Sequence, residues 1–273
     1  MTRVLALAVL LAAFGCLGVY LFVNAPPELG AREADAPRVP IARVFEIVAH
    51  ENATARALYT REIVQAGMAR GLRFTEDWQD PASASGPLPA LFLRATAARL
   101  EQSPIELRLF LGSDLPVRSS NRFTGAQADA FTRVRASGEP VVLFAEDTGL
   151  HTALFPDVAV AQACVDCHNA HADSPKHDWR VGEIMGATTW SFPRESVTPE
   201  ELLTIVAVLR GAFRDSYAAY LDQLAGLETP PAIGETWPRD GYALPSVEVF
   251  AREHARLAST DTLAGLLAMT GAP

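Results

Sequence analysis

Positive charge is in deficit: 23 Lys and Arg stand against 32 Asp and Glu, a formal net charge of −9 over 273 residues. The acidic residues are spread along the chain and no basic stripe interrupts them, so the electrostatic footprint of a nucleic-acid binder is missing. Also missing are a nucleophile motif, a glycine loop for phosphate and a second cluster of metal-ligating residues. Hydrolysis and phosphoryl transfer therefore have no support, and an enzyme is the least favoured class. No internal repeat is present, which excludes solenoids and propellers. Cysteine is scarce, with three in the whole chain, yet two of the three, Cys164 and Cys167, are separated by only two residues.

The hydrophobic fraction, 49%, suffices for a sizeable core in one large domain or two small ones. Residues 1–25 read as a transmembrane anchor or signal segment. Arg3 precedes an uninterrupted apolar run from Val4 to Val23, which approaches the ~20 residues a spanning helix needs and exceeds the ~7–15 of a cleaved leader. An uncleaved single anchor is the expectation, with a cleaved leader as the alternative; either places the body outside the cytoplasm, on the periplasmic side of a bacterial inner membrane. Cys16 lies inside this run, and the nearby Phe14 makes it a poor acylation site. Residues 26–40, rich in Pro, Ala and charge, form a linker.

From Ile41 to about Leu72 apolar positions recur at helical spacing, with Gly67 and Gly71 loosening the end. Leu91 to Leu100 is a second expected helix and Gly125 to Arg135 a shorter one. Strands are expected at Ile105 to Leu111, Val141 to Phe144 and His151 to Phe155, and Ala159 to His168 is a helix or turn carrying the cysteines. This order indicates an α+β sheet domain over 41–195. Residues 196–273 form a helical C-terminal extension. It opens on a capping box at Thr198 and Glu201, and a stripe runs from Leu202 to Leu224. Ser246 caps a last helix to about Leu257, with Thr262 to Met269 as its possible continuation.

Residues 164–168 read Cys-Val-Asp-Cys-His. Two thiols so spaced lie on one side of a helical turn and can form thioethers with the two vinyl groups of a haem, leaving His168 to meet the iron. The competing readings are a zinc site recruiting His171 or His177, and a redox dithiol or disulfide. Export agrees with haem c, one covalent group per chain.

The run from Ala163 to Ala187 resembles a family of PAS-like c-type haem domains often found amino-terminal to sensor kinases. The matching residues are Cys164, Cys167, His168, Asn169, Ser174, Pro175, Lys176, Asp178 and Trp179, with Arg180 where the family carries Lys. The upstream run from Gly86 to Arg94 is similar as well, so the resemblance covers roughly Ile41 to Pro193. It implies a PAS-like sheet with a long N-terminal helix and a covalent haem whose proximal ligand is His168. Some members place a cysteine sulfur on the far side of the iron. Here only Cys16 is spare, in the apolar N-terminal run, so the other face falls to His50, Met68, His151, His171, His177 or His254, or stays open to water. His50, on the long helix, is the first candidate. Lys176 and Arg180 are candidate partners of the haem propionates, against the alternative of a solvated loop, and Trp179 a candidate for the ring edge or a core position.

Two functions follow. One is a redox or diatomic-gas sensor, in which a change at the iron shifts the attached helices; no kinase or cyclase module lies within the chain, so the signal would pass to a separate protein partner. The alternative is a one-haem electron-transfer cytochrome whose acidic surface guides a basic redox partner.

Overall fold

The computed structural model describes residues 13–17, 20, 37–237 and 241–269. The expected spanning run from Val4 to Val23 lies almost wholly outside them, as does most of the linker; among the described residues no helix is long and apolar enough to cross a membrane. Residues Arg38–Pro273 form one compact α+β unit.

Val39 and Pro40 pair antiparallel with Val197 and Ser196, delivering the chain into α1, Ile41–Leu58. Its apolar residues fall on one face, so Val44, Phe45, Ile47, Val48, Ala55 and Leu58 are all buried. The helix widens into a π-helical stretch at Tyr59–Gln65 and closes after one further turn, Ala66–Met68, with Gly71 in the left-handed conformation (φ 87°). A short parallel pairing, Phe74–Thr75 with Gly86–Pro87, leads into α2, Pro89–Glu101, with Pro89 in its first turn. Gly86 has no alternative: a Cβ there would stand 2.5 Å from the ring of Tyr220.

The sheet follows. Strand β1 is Arg108–Gly112, helix α3 Gly125–Ser137, β2 Val141–Ala145 and β3 Leu150–Val158. The cysteine helix α4, Gln162–Ala170, then precedes β4, Ile184–Phe192. All neighbours are antiparallel in the spatial order β1-β4-β3-β2. The central strand β4 has no counterpart among the strands the sequence pattern proposed. Its run from Gly186 to Phe192 is buried on both faces, so the alternation that marks a half-buried strand is absent. On one face, α3 packs Phe131 and Val134 onto Phe110, Leu154 and Ala187. On the other, Leu109, Ala153, Trp190 and Phe192 join the main core beneath α1.

The C-terminal helices belong to that same core. Helix α5, Pro199–Ala225, begins with both bonds of the expected capping box, Thr198 N donating to Glu201 at 2.7 Å and Glu201 N to Thr198 Oγ1 at 3.2 Å. Its stripe Leu202, Ile205, Leu209, Phe213, Tyr217 and Leu224 is buried within the molecule, against α1 and α2. Helix α6, Val247–Met269, is continuous through residue 257, with Ser246 Oγ accepting from Val249 N. Phe92 sits where the layers meet, stacked on Tyr59 at 4.2 Å between ring centroids and within about 6 Å of Phe213 and Phe250.

One charge is sealed between these helices. Glu51 of α1 is fully buried and takes Nε and Nη2 of Arg210 at 2.9 and 2.6 Å and the hydroxyl of Thr262 at 2.7 Å, while its backbone carbonyl accepts from His254 Nε2 at 3.0 Å. Burial alone would raise the Glu51 carboxyl, but the bonds from Arg210 and Thr262, with the charges of Arg210 and His254, together hold it below its ordinary value. Burial likewise pushes the His254 imidazole down, against the opposing pull of Glu51.

Two outcomes are expected. Phe92→Ala removes an aromatic ring from a dry core and lowers unfolding free energy by about 3–5 kcal/mol in urea titration. The pH dependence follows from the two depressed groups: the unfolded chain takes up protons that the folded one declines. Stability is therefore full above the ordinary His value of 6.5 and declines as pH falls, first through His254 and then through Glu51. The urea midpoint drops between about pH 7.5 and about pH 5.5, and by less in His254→Gln, whose amide still donates to the Glu51 carbonyl.

Candidate functional site

Helix α4 is held as an insertion between two sheet strands. At its base Ala159 N donates to Glu183 O and Gly182 N to Ala159 O, both at 2.9 Å, so the segment leaves and rejoins the sheet at one point. Gly182 makes that closure with φ of 92°. Within the segment, Asn169 grips the Trp179 backbone from both sides. Its Nδ2 donates to Trp179 O at 3.0 Å and its Oδ1 accepts from Trp179 N at 2.7 Å. Ser174, buried, donates its hydroxyl to Lys176 O at 2.7 Å. The Asn and Ser of the recognised motif thus shape the loop.

On α4, Cys164, Cys167 and His168 stand at positions i, i+3 and i+4, which share one helix face. Cys164 is partly buried against Val165, Trp179, Ala159, Leu115 and Met185, a small apolar cluster of its own. Cys167 is exposed; both thiols are free. Partial shielding of its sulfur, with Glu76 and Cys164 nearby, raises the Cys167 thiol above its ordinary value. Burial, aided by His171, pushes His168 below its ordinary pKa against the charges of Asp157 and Glu76. Its imidazole is therefore neutral at pH 7, the form that binds a metal.

Several residues without a sequence signal surround this face. Arg56, at the end of α1, donates to Asp157 of β3 at 2.5 Å and lies within electrostatic range of Cys164. Glu76 bridges His171 Nε2, at 3.0 Å, and Arg118 Nη2, at 3.4 Å. Arg94 lies within electrostatic range of Arg118 and Glu76. Of these, Arg94 alone falls in a run with a sequence signal, as the last residue of Gly86 to Arg94.

The remaining sequence candidates are distributed as follows. His171 is tied to Glu76, and His177 Nδ1 meets Asn169 O at 2.9 Å, so the two histidines that a zinc site would recruit both have other partners. Among the described residues no three His, Cys, Asp or Glu side chains converge as a metal-ion site. Lys176 is engaged inside its own loop, 2.8 Å from Asp178 and 3.2 Å from Glu183, with its ammonium 4.3 Å above the Trp179 ring. Arg180 is exposed and its backbone N–H meets Glu183 at 2.8 Å. His50 sits on α1, six residues before Arg56 and so roughly 9 Å earlier along the axis. Its ring meets Thr54 Oγ1 at 3.4 Å and lies within electrostatic range of His254. Met68 is exposed at the end of the π-widened helix, and His151 packs on Phe144 in the sheet.

Two features leave this face with unused chemistry. The paired thiols and the neutral imidazole face the same way, and the buried Trp179 Nε1 has no hydrogen-bond partner in a segment otherwise closed by such bonds.

Comparison with known proteins agrees with this layout. A family model described as Tll0287-like matches residues 43–193, more than half of the chain and almost the span of the resemblance read from the motif. No curated protein and no solved structure matches.

The Asn169 clamp yields a direct expectation. Asn169→Ala removes both bonds to the Trp179 backbone, costing about 1–3 kcal/mol locally, and hydrogen exchange of the amides between 169 and 180 accelerates while those of β3 and β4 are unchanged.

Proposed function

The chain belongs to the Tll0287-like family of PAS-like c-type haem domains, and on that premise we propose that it is a one-haem protein acting as a redox or diatomic-gas sensor. The observation that carries the reading is the single face of α4 bearing two free thiols and a neutral imidazole. Cys164 and Cys167 would each form a thioether with a haem vinyl group, and His168 would be the proximal iron ligand. Bound haem would supply a redox-active iron.

The protein's own part is to hold and report. Asn169 and Ser174 fix the loop that backs the attachment helix. The Arg56 to Asp157 ion pair joins the end of α1 to β3 beside Cys164. A displacement on that side therefore reaches α1, and through Glu51 the C-terminal helices. His50 remains the proposed ligand of the far iron face. The body is proposed to lie on the periplasmic side of a bacterial inner membrane behind an N-terminal anchor, signalling to a separate protein partner. Electron transfer is the second reading: Cys167 is exposed, which would leave a haem edge open to a redox partner.

The test is the pyridine haemochrome spectrum of the full chain expressed with haem-attachment machinery. The parent shows a spectrum with two thioethers, Cys164→Ser and Cys167→Ser each one, and the double variant no covalent haem. His168→Ala and His50→Ala change the axial-ligand spectrum. Haem retained through denaturation by the double variant, or zinc in place of iron in the purified parent, would falsify the assignment. Identical partner binding in the oxidised and reduced forms, with rapid salt-dependent electron exchange, would replace sensing by transfer.

A further inference from the structure

Haem carries two propionates, and a carboxylate near a protein surface is best held by a bidentate guanidinium. Two of the cations near the cysteines are already engaged. Lys176 is shared between Asp178 and Glu183 and stacked on Trp179. Arg56 is matched one to one with Asp157. On the side of α4 facing Glu76 the balance differs. One carboxylate, Glu76, contacts His171 at 3.0 Å and Arg118 at 3.4 Å, with Arg94 and His168 within electrostatic range, so two guanidiniums share the neighbourhood of a single anion. The contact from Arg118 to Glu76 is long, at 3.4 Å, and monodentate.

We infer that Arg94 and Arg118 form the propionate-binding site of the haem, with Glu76 aligning Arg118 and His171 beside it. This rests on the covalent haem proposed above. Burial and the like charge of Arg118 push the Arg94 guanidinium below its ordinary value, and Glu76 only partly offsets them. An incoming carboxylate relieves that repulsion. The site also accounts for the Gly86 to Arg94 run. Pro89 starts α2, Phe92 and Leu93 anchor it in the core, and Arg94 emerges half-buried next to them, carried by a rigid element. Arg118 reaches the same place from the loop after β1, which Ser113 ties to Met185 O at 2.7 Å.

The measurement is the haem midpoint potential of the full, haem-loaded chain across pH, for Arg94→Gln, Arg118→Gln, their double variant, Arg118→Lys, Lys176→Gln and Arg180→Gln. Losing a cation beside the propionates favours the ferric state. The potential therefore falls in each Arg94 and Arg118 variant and further in the double, and the propionate ionisation read from its pH profile moves to higher pH. Arg118→Lys keeps the charge without the fork and shifts by less than Arg118→Gln. Lys176→Gln and Arg180→Gln leave both readouts at the parent value. Parent-like potentials and pH profiles in the Arg94 and Arg118 variants, or larger shifts at Lys176 and Arg180, overturn the inference. Should a glutamine variant yield no folded protein, Arg118→Lys decides alone, through the propionate-bending bands of resonance Raman spectra: displaced bands support the site, and parent-like bands refute it. A parent lacking covalent haem would instead defeat the underlying function, so the two failures are separable.

Discussion

A carboxylate with no exposure to water has to be matched where it lies, and Glu51 is matched by residues that come from far along the chain. Arg210 and Thr262, 159 and 211 positions later, bring α5 and α6 onto α1 to supply the bonds. An apolar side chain at this position would let those helices slide over the aromatic core. A charge does not, because removing any one partner leaves an ion in a medium of low dielectric. The arrangement of the three helices therefore has a fixed register. The face that α1 presents to the sheet, and the position of Arg56 beside Asp157, follow from it.

The same helix serves the cysteine segment. Five residues separate Glu51 from Arg56, about 7.5 Å along an α-helical axis, so the buried anchor and the surface ion pair at Asp157 sit on one short rigid rod. Beyond Arg56 the backbone widens into the π-helical stretch, where Tyr59 stacks on Phe92 and donates to Pro87 O at 2.8 Å. The α2 run that ends in Arg94 is thereby locked to α1. The attachment helix and the cluster around Glu76 are both referenced to the same rod, one through Arg56 and the other through Phe92.

What could be read from the sequence was whatever depends on neighbours in the chain. The capping box at Thr198 and Glu201, Pro89 in the first turn of α2, the buried stripe of α5 and the spacing of Cys164, Cys167 and His168 are all local patterns, and each appears in the fold. What could not be read depends on distant partners. Strand β4 carries Gly, Ala and Thr between two covered faces, so neither alternation nor a long aliphatic run betrays it. Glu51 looked like any charged residue on a helix, since its partners lie in the last third of the chain. Glu76 and Arg118 lie in loops, where composition carries no directional information. The continuation of α6 past residue 257 is not legible locally, because its Ser-Thr-Asp run weakens helical propensity and it is burial of Ala258 and Thr262 that favours the helix.

The way the cysteine segment is stitched into the sheet has a bearing on descent. Its ends meet at Ala159 and Gly182 through ladder-type bonds, so the entropy of closing the loop is borne by strands that pair whether or not the segment has any particular length. Residues between those two points lie outside the pairing of β3 with β4. The insertion is therefore a cassette, and its Cys164, Val165 and Trp179 reach the scaffold at Leu115 and Met185.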